Sequence, residues 1–250
     1  MDSSEYEKMY QLEEANWWYS GRRGLVLSEV ARLHKRFPNK SMKILDAGCG
    51  TGINLKYLQT YGDAYGLDIS EEALEFSRIR GLTPTICGSM DKLPLKSGFF
   101  DLVVALDVIE HIQDDISAIN ELNRVLRPGG YLIVTVPAFQ FLWSNHDLAV
   151  HHKRRYTRSE LSDLIRLGGF RIERATYWNF FLFLPVAAMR LLKRATFSER
   201  NRQTDLAELP GPINRIMHGL LLVENRISGR FDLPFGVSIM CVCKKARESQ

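Results

Sequence analysis

The chain has 250 residues, 45% hydrophobic and 25% charged, with a net charge of +4. That length and balance suit one soluble α/β domain with a full core and exclude a disordered or collagen-like chain. The mild positive charge permits an anionic partner without demanding one. Cys49, Cys87, Cys241 and Cys243 form no pair of CxxC motifs, which argues against a structural zinc site and for buried, reduced thiols. The start, Met1-Asp2-Ser3-Ser4-Glu5, is acidic and polar. It lacks the pattern of a signal peptide, so a cytoplasmic protein is expected.

Residues 1–40 read as an N-terminal helical cap containing Trp17-Trp18-Tyr19-Ser20-Gly21-Arg22-Arg23. Its aromatics suit core packing, and its paired arginines equally suit a lid facing an acceptor pocket. The apolar run Met42–Leu45 then reads as a buried parallel strand. It ends in Asp46-Ala47-Gly48-Cys49-Gly50-Thr51-Gly52 and opens a helical pattern with Leu55 and Leu58 on one face. Glycines there let backbone approach a ligand, at the strand end where open α/β sheets bind. The dinucleotide fingerprint needs a glycine where Ile53 stands, which disfavours an NAD-dependent oxidoreductase. A second strand, Ala64–Leu67, ends in Asp68, and a carboxylate there can accept ribose hydroxyls.

Strand and helix go on alternating. A helix is expected over Glu71–Arg80, strands over Thr83–Cys87 and Leu102–Leu106, a helix over Asp114–Leu126, and a strand over Tyr131–Val136. Residues 138–157 form a long polar and aromatic loop with His146, Asp147 and His151-His152-Lys153-Arg154-Arg155-Tyr156. Thr157-x-x-Glu160 is a capping box for the next helix, and Phe170–Tyr177 and Gly236–Lys244 read as the last strands. Between them, residues 179–235 read as a helical insertion holding the apolar run Phe180–Met189 and an apolar helix over Ile213–Ile227. The run is too short to span a bilayer. Arg190, Lys193, Arg194, Arg200 and Arg202 follow it, so residues 180–202 suit cover for the sheet edge, a dimer contact, or contact with the inner face of a membrane.

From residue 42 to 136 the sequence resembles the class I S-adenosylmethionine-dependent methyltransferases. The matching blocks are Leu45–Gly52, Gly66-Leu67-Asp68-Ile69-Ser70, Leu93-Pro94-Leu95, Phe100-Asp101-Leu102-Val103, Val108-Ile109-Glu110-His111-Ile112 and Leu126-Arg127-Pro128-Gly129-Gly130. The resemblance implies a Rossmann-like seven-stranded sheet with the last strand antiparallel beside the fifth. The core would comprise residues 41–178 with 236–245, flanked by the cap and the insertion. It further implies S-adenosylmethionine as cofactor, held by Asp46, Gly48, Gly50 and Gly52 at the methionine end. Asp68 would hold the ribose, Ile69, Ser89 and Met90 the adenine, and Asp107 would lie near the methionine moiety.

The expected acceptor is a small molecule, sugar or lipid-linked compound bearing an anionic group to suit the arginines. His111, His152, Arg154 and Tyr156 are the candidate catalytic residues. Asp107-x-x-Glu110-His111 is also similar to the Glu-x-x-Glu-His of quinone-pathway O-methyltransferases, whose side chains bind a divalent ion. Whether a metal binds here stays open. Nucleic acid is not expected as a partner, because the motif for a flipped base and a long basic stripe are both missing from the sequence. A non-catalytic nucleotide-binding module is the remaining alternative.

Overall fold

In the computed structural model, which describes residues 3–37, 41–193 and 209–246, seven strands form one sheet in the order β3-β2-β1-β4-β5-β7-β6. The strands are β1 (Met42–Ala47), β2 (Gly62–Asp68), β3 (Thr85–Cys87), β4 (Phe100–Leu106), β5 (Leu126–Pro137), β6 (Phe170–Trp178) and β7 (Ser238–Lys245). β7 runs antiparallel between β5 and β6, while the pairs from β3 across to β5 are parallel. The expected sheet, with its antiparallel last strand beside the fifth, is the one observed.

The apolar strands are buried on both faces because helices cover both. Alternate residues of β4 enter opposite cores. Val103 and Ala105 join the face covered by Ile119 and Leu122 of α5 (Asp115–Val125) and Leu161 and Ile165 of α7 (Arg158–Leu167). Leu102 and Val104 join the face covered by Leu25, Val26 and Val30 of α2 (Trp17–His34) and Leu55 and Leu58 of α3 (Ile53–Leu58). This is the two-residue period of a strand read by two helical layers. The amino-terminal stretch therefore divides: α2 is part of the core, and α1 (Ser3–Leu12) lies over the loop after β1.

Helix starts follow their capping residues. Ser70 accepts the Ala73 N–H ahead of α4 (Glu71–Ile79), and Asp114 accepts the Ser117 N–H ahead of α5. Thr157 and Glu160 form the expected reciprocal box at α7. β5 begins at Leu126, earlier than the apolar run suggests, because Leu126 pairs opposite Phe100; the Arg-Pro-Gly-Gly residues that follow fall in a register shift before Tyr131 pairs with Leu102.

The stretch between β6 and β7 contains α8 (Phe183–Lys193) and α9 (Gly211–Ser228). Arg194, Arg200 and Arg202 lie outside the described residues. α9 packs closely on α2, where a side chain at Gly21 would meet Leu221. Cys49, Cys241 and Cys243 are buried free thiols, but Cys87 is exposed at the end of β3, correcting the expectation that all would be buried.

Candidate active site

The parallel order places the carboxyl ends of β1, β2 and β4 side by side, with an aspartate at or next to each end: Asp46 one residue before the end of β1, Asp68 closing β2 and Asp107 just after β4. Gly48, Gly50 and Gly52 have φ of +79°, +54° and +89°, a region that disfavours side chains. Added Cβ atoms would lie 2.5 Å from Val108 at Gly48 and 3.0 Å from Met9 of α1 at Gly50. The loop is thus a bare-backbone cradle with α1 across it.

Asp68 accepts N–H groups from Gly50 and Ser70, both at 2.9 Å. These fix its carboxylate against the cradle, while burial pushes its pKa upward. Asp46 is 1% exposed with Oδ2 lacking any partner, and burial raises its pKa to about 7. A buried carboxylate oxygen left unpaired at a glycine cradle suits a cationic ligand group. Asp107, φ +51°, follows β4 and accepts Thr135 Oγ1 at 3.0 Å. Its other oxygen pairs with Arg22, whose guanidinium lies 4.5 Å over the Trp18 ring.

The remaining cofactor candidates sit along the same edge. Ile69 is 71% exposed. The Ser89 hydroxyl donates to Asp91. The Met90 side chain belongs to the core with Leu67 and Leu93, so it is its backbone rather than its thioether that is left for an adenine.

Beyond Asp107, the turn after β4 meets the loop after β5. Lys153 N–H donates to Glu110 O at 2.8 Å. Glu110 is fully buried with both carboxylate oxygens unpartnered, and burial, reinforced by Asp107, raises its pKa well above the ordinary range. His152 Nε2 lies 3.7 Å from Glu110, and its Nδ1 lies 2.7 Å from Asp147. The His111 and His152 rings meet edge-on at 4.7 Å. Burial, with His152 adding to it, lowers the His111 pKa to about 4.

Asp147 is itself clamped by Arg155 at 2.8 and 3.0 Å. Burial acts to raise its pKa, but the His152 hydrogen bond and Arg155 outweigh that and hold it below the ordinary carboxylate range. Asp147 also closes the cap of α6 (Asn145–Ala149).

Two candidates from the same loop are placed otherwise. Arg154 donates to Asp115 and to the Gln113 carbonyl, both at 2.7 Å, and the Tyr156 hydroxyl donates to Asp115 at 2.9 Å. These bonds anchor the loop to α5. The lid arginines divide as well. Arg22 reaches the site, and Arg23 donates to the carbonyls of Glu13 and Glu14. Asp147, Arg155 and the pairing of Arg22 are the site features that sequence reasoning missed. An Arg-Arg pair flanked by His and Tyr signals that the loop matters, but not which arginine turns inward.

Residues 45–134 match the family described as the methyltransferase domain. A probable S-adenosylmethionine-dependent methyltransferase of Mycolicibacterium smegmatis is 32% identical over 166 residues, 65% of this chain and 62% of that protein. An uncharacterized protein of Methanocaldococcus jannaschii is 32% identical over 64% of this chain and 68% of its own length. Among solved structures, an S-adenosylmethionine-dependent methyltransferase from Thermotoga maritima superposes with a TM-score of 0.58 at 21% identity, covering 97% of this chain and 95% of that one. The chain spans a little under two thirds of the Mycolicibacterium relative.

The sheet order and the cradle define a Rossmann-like methyltransferase. The chain belongs to the class I S-adenosylmethionine-dependent methyltransferases. Membership of that family implies S-adenosylmethionine as cofactor and favours a methyltransferase over the oxidoreductase.

Proposed function

We propose that the protein transfers the methyl group of S-adenosylmethionine to a small-molecule, sugar or lipid-linked acceptor whose reactive group enters the Glu110–His111–His152 cluster. The observation carrying this reading is the position of that cluster: it follows directly on Asp107 at the edge that holds the glycine cradle. Asp46 and Arg22 bind the amino and carboxylate groups of the methionine moiety. Asp68 takes the ribose hydroxyls. Ile69, Ser89 and the backbone of Met90 border the adenine. The bound cofactor supplies both the electrophilic methyl and the leaving group. The chain's own contribution is to align the acceptor, and orientation alone can supply roughly 7–11 kcal/mol of a barrier.

The support for an anionic acceptor weakens once the structure is in view. Arg22, Arg154 and Arg155 each face a carboxylate, and Arg23 faces carbonyls. The polar groups left for the acceptor are Glu110, His111 and His152. In the loop after β5 and in α8, Phe139, Phe141 and Phe183 form an aromatic band, and Arg190 of α8 donates to Leu142 O at 2.7 Å and lies 3.9 Å from Asp147, the partner of His152. An acceptor with an apolar body suits that band. The apolar face of α8 then meets a membrane surface from which a lipid-linked acceptor is drawn.

The test is methyl-labelling of a cell extract and its lipid fraction with labelled S-adenosylmethionine. Wild-type protein should label a component that His152→Ala does not, while both bind S-adenosylhomocysteine alike. Equal labelling by the two would overturn the acceptor assignment.

A further inference from the structure

Glu110 poses a physical problem that methyl transfer alone leaves unsolved. Its carboxylate has no exposure, and neither oxygen has a hydrogen-bond partner among the other described residues. A buried polar group in that condition is destabilising, the more so if charged, so something is expected to satisfy it. Protonation does not suffice, because the acid would still carry an unmatched donor and acceptor.

The groups around it have one chemical character. One oxygen of Glu110, one ring nitrogen of His111 and one of His152 all lie within 4.8 Å of one another. One edge is the 3.7 Å between His152 Nε2 and Glu110 Oε1. Ligands bound at 2.0–2.2 Å around a tetrahedral ion stand about 3.4 Å apart, so small side-chain rotations close the set. Both imidazoles are also secured from behind. His152 holds Nδ1 against Asp147 at 2.7 Å, and Asp147 is fixed by Arg155. His111 has the backbone of His151 as a hydrogen-bond partner, in a residue whose φ of +62° turns that backbone out of its ordinary course. Metal-binding histidines characteristically anchor their second nitrogen on a carboxylate or a backbone carbonyl in this way.

We infer that Glu110, His111 and His152 bind a divalent transition-metal ion, with Asp147 and the His151 backbone orienting the two imidazoles. This rests on reading the cluster as the acceptor site and deepens it. Three protein ligands leave a coordination position open, where an acceptor oxygen can bind and lose its proton more readily. Two imidazoles and one carboxylate favour a transition ion over Mg²⁺. The ligand set differs from the one the motif Asp107-x-x-Glu110-His111 suggests. Asp107 is engaged by Arg22 and Thr135, and the third ligand comes from the loop after β5.

The experiment is a titration of chelator-treated, full-length protein with Co²⁺, followed by its visible ligand-field bands and by equilibrium dialysis. Wild-type protein should bind one Co²⁺ per chain. Glu110→Gln and His152→Ala should each weaken binding at least 100-fold, and Asp147→Asn by about 10- to 100-fold. Asp107→Asn should leave the bands in place. S-adenosylhomocysteine binding, measured on the same samples without metal, reports whether each variant is folded and tests the methyltransferase reading separately. Absence of Co²⁺ binding by wild-type protein that binds S-adenosylhomocysteine would overturn the metal site. So would Co²⁺ binding unchanged in folded Glu110→Gln or His152→Ala.

Discussion

The guanidinium of Arg22, in the second helix of the chain, is paired with the carboxylate of Asp107 at the end of β4. A contact across 85 residues of sequence joins the amino-terminal region to the edge of the sheet where the glycine cradle lies. It also leaves Arg22 Nε buried and without a hydrogen-bond partner among the described residues, a donor available to an anionic ligand group. Charge-assisted hydrogen bonds contribute about 1.5–3 kcal/mol. Arg22→Ala should therefore weaken S-adenosylhomocysteine binding roughly 10- to 100-fold in calorimetry. An unchanged affinity would remove Arg22 from the cofactor site.

Asp46 couples cofactor binding to stability. Burial raises its pKa from an ordinary 3.8 to about 7, so the folded state holds the proton more tightly than the unfolded one. That contribution is complete below about pH 4 and disappears as pH rises through about 7. Thermal melts of ligand-free protein should show wild type losing stability relative to Asp46→Asn between pH 5 and pH 8. The variant should gain in melting temperature at pH 8 and bind cofactor more weakly. A melting difference independent of pH would contradict the assignment.

Glu224 of α9 is buried and accepts the N–H groups of Asn179, Phe180 and Phe181, holding the chain where β6 passes toward α8. Glu224→Ala leaves those donors unmatched at about 1–3 kcal/mol each. Urea unfolding should show a loss on the order of 3 kcal/mol or more. A loss under about 1 kcal/mol would mean that the turn is held by other contacts.

The α2–α9 contact depends on the absence of a side chain at Gly21, where a Cβ would come within 2.4 Å of Leu221 Cδ1. Gly21→Ala should cost about 1–3 kcal/mol by overpacking. Combined with Leu221→Ala, which leaves room for the new methyl group, the total loss should be smaller than the sum of the two single losses. Additive losses in the double variant would show that the helices do not meet there.

On α8, Leu184 and Leu192 are 70% and 78% exposed, and no helix among the described residues is long and apolar enough to cross a membrane. Membrane-surface contact predicts co-sedimentation with anionic vesicles, reduced by salt and by Leu184→Glu combined with Leu192→Glu. Protein left in the supernatant with every vesicle composition would favour an acceptor taken up from water.

Where the pattern is periodic, the sequence carries the architecture. The strand ending in Asp46, the glycine turn, the strand ending in Asp68 and the amphipathic helix before Arg127 are legible because apolar spacing and capping residues act locally. The loop from 138 to 157 has no such period. Nothing local distinguishes Arg155, which turns inward to Asp147, from Arg154, which turns to Asp115. Asp147 acquires its place only when His152 returns across α6 to meet it. Met90 appears free to face a ring until the core claims its side chain, and Asp107 resembles a metal ligand until Arg22 arrives from a distant helix. What stays illegible are pairings that depend on tertiary approach rather than on spacing.

The central claim is that the ends of β1, β2 and β4 hold the cofactor, with Asp68 at the ribose. Isothermal titration of S-adenosylmethionine into wild type and Asp68→Ala tests it most directly. One molecule should bind per wild-type chain, with an affinity at least 10-fold weaker in a folded Asp68→Ala. Equal binding by the two proteins would contradict it.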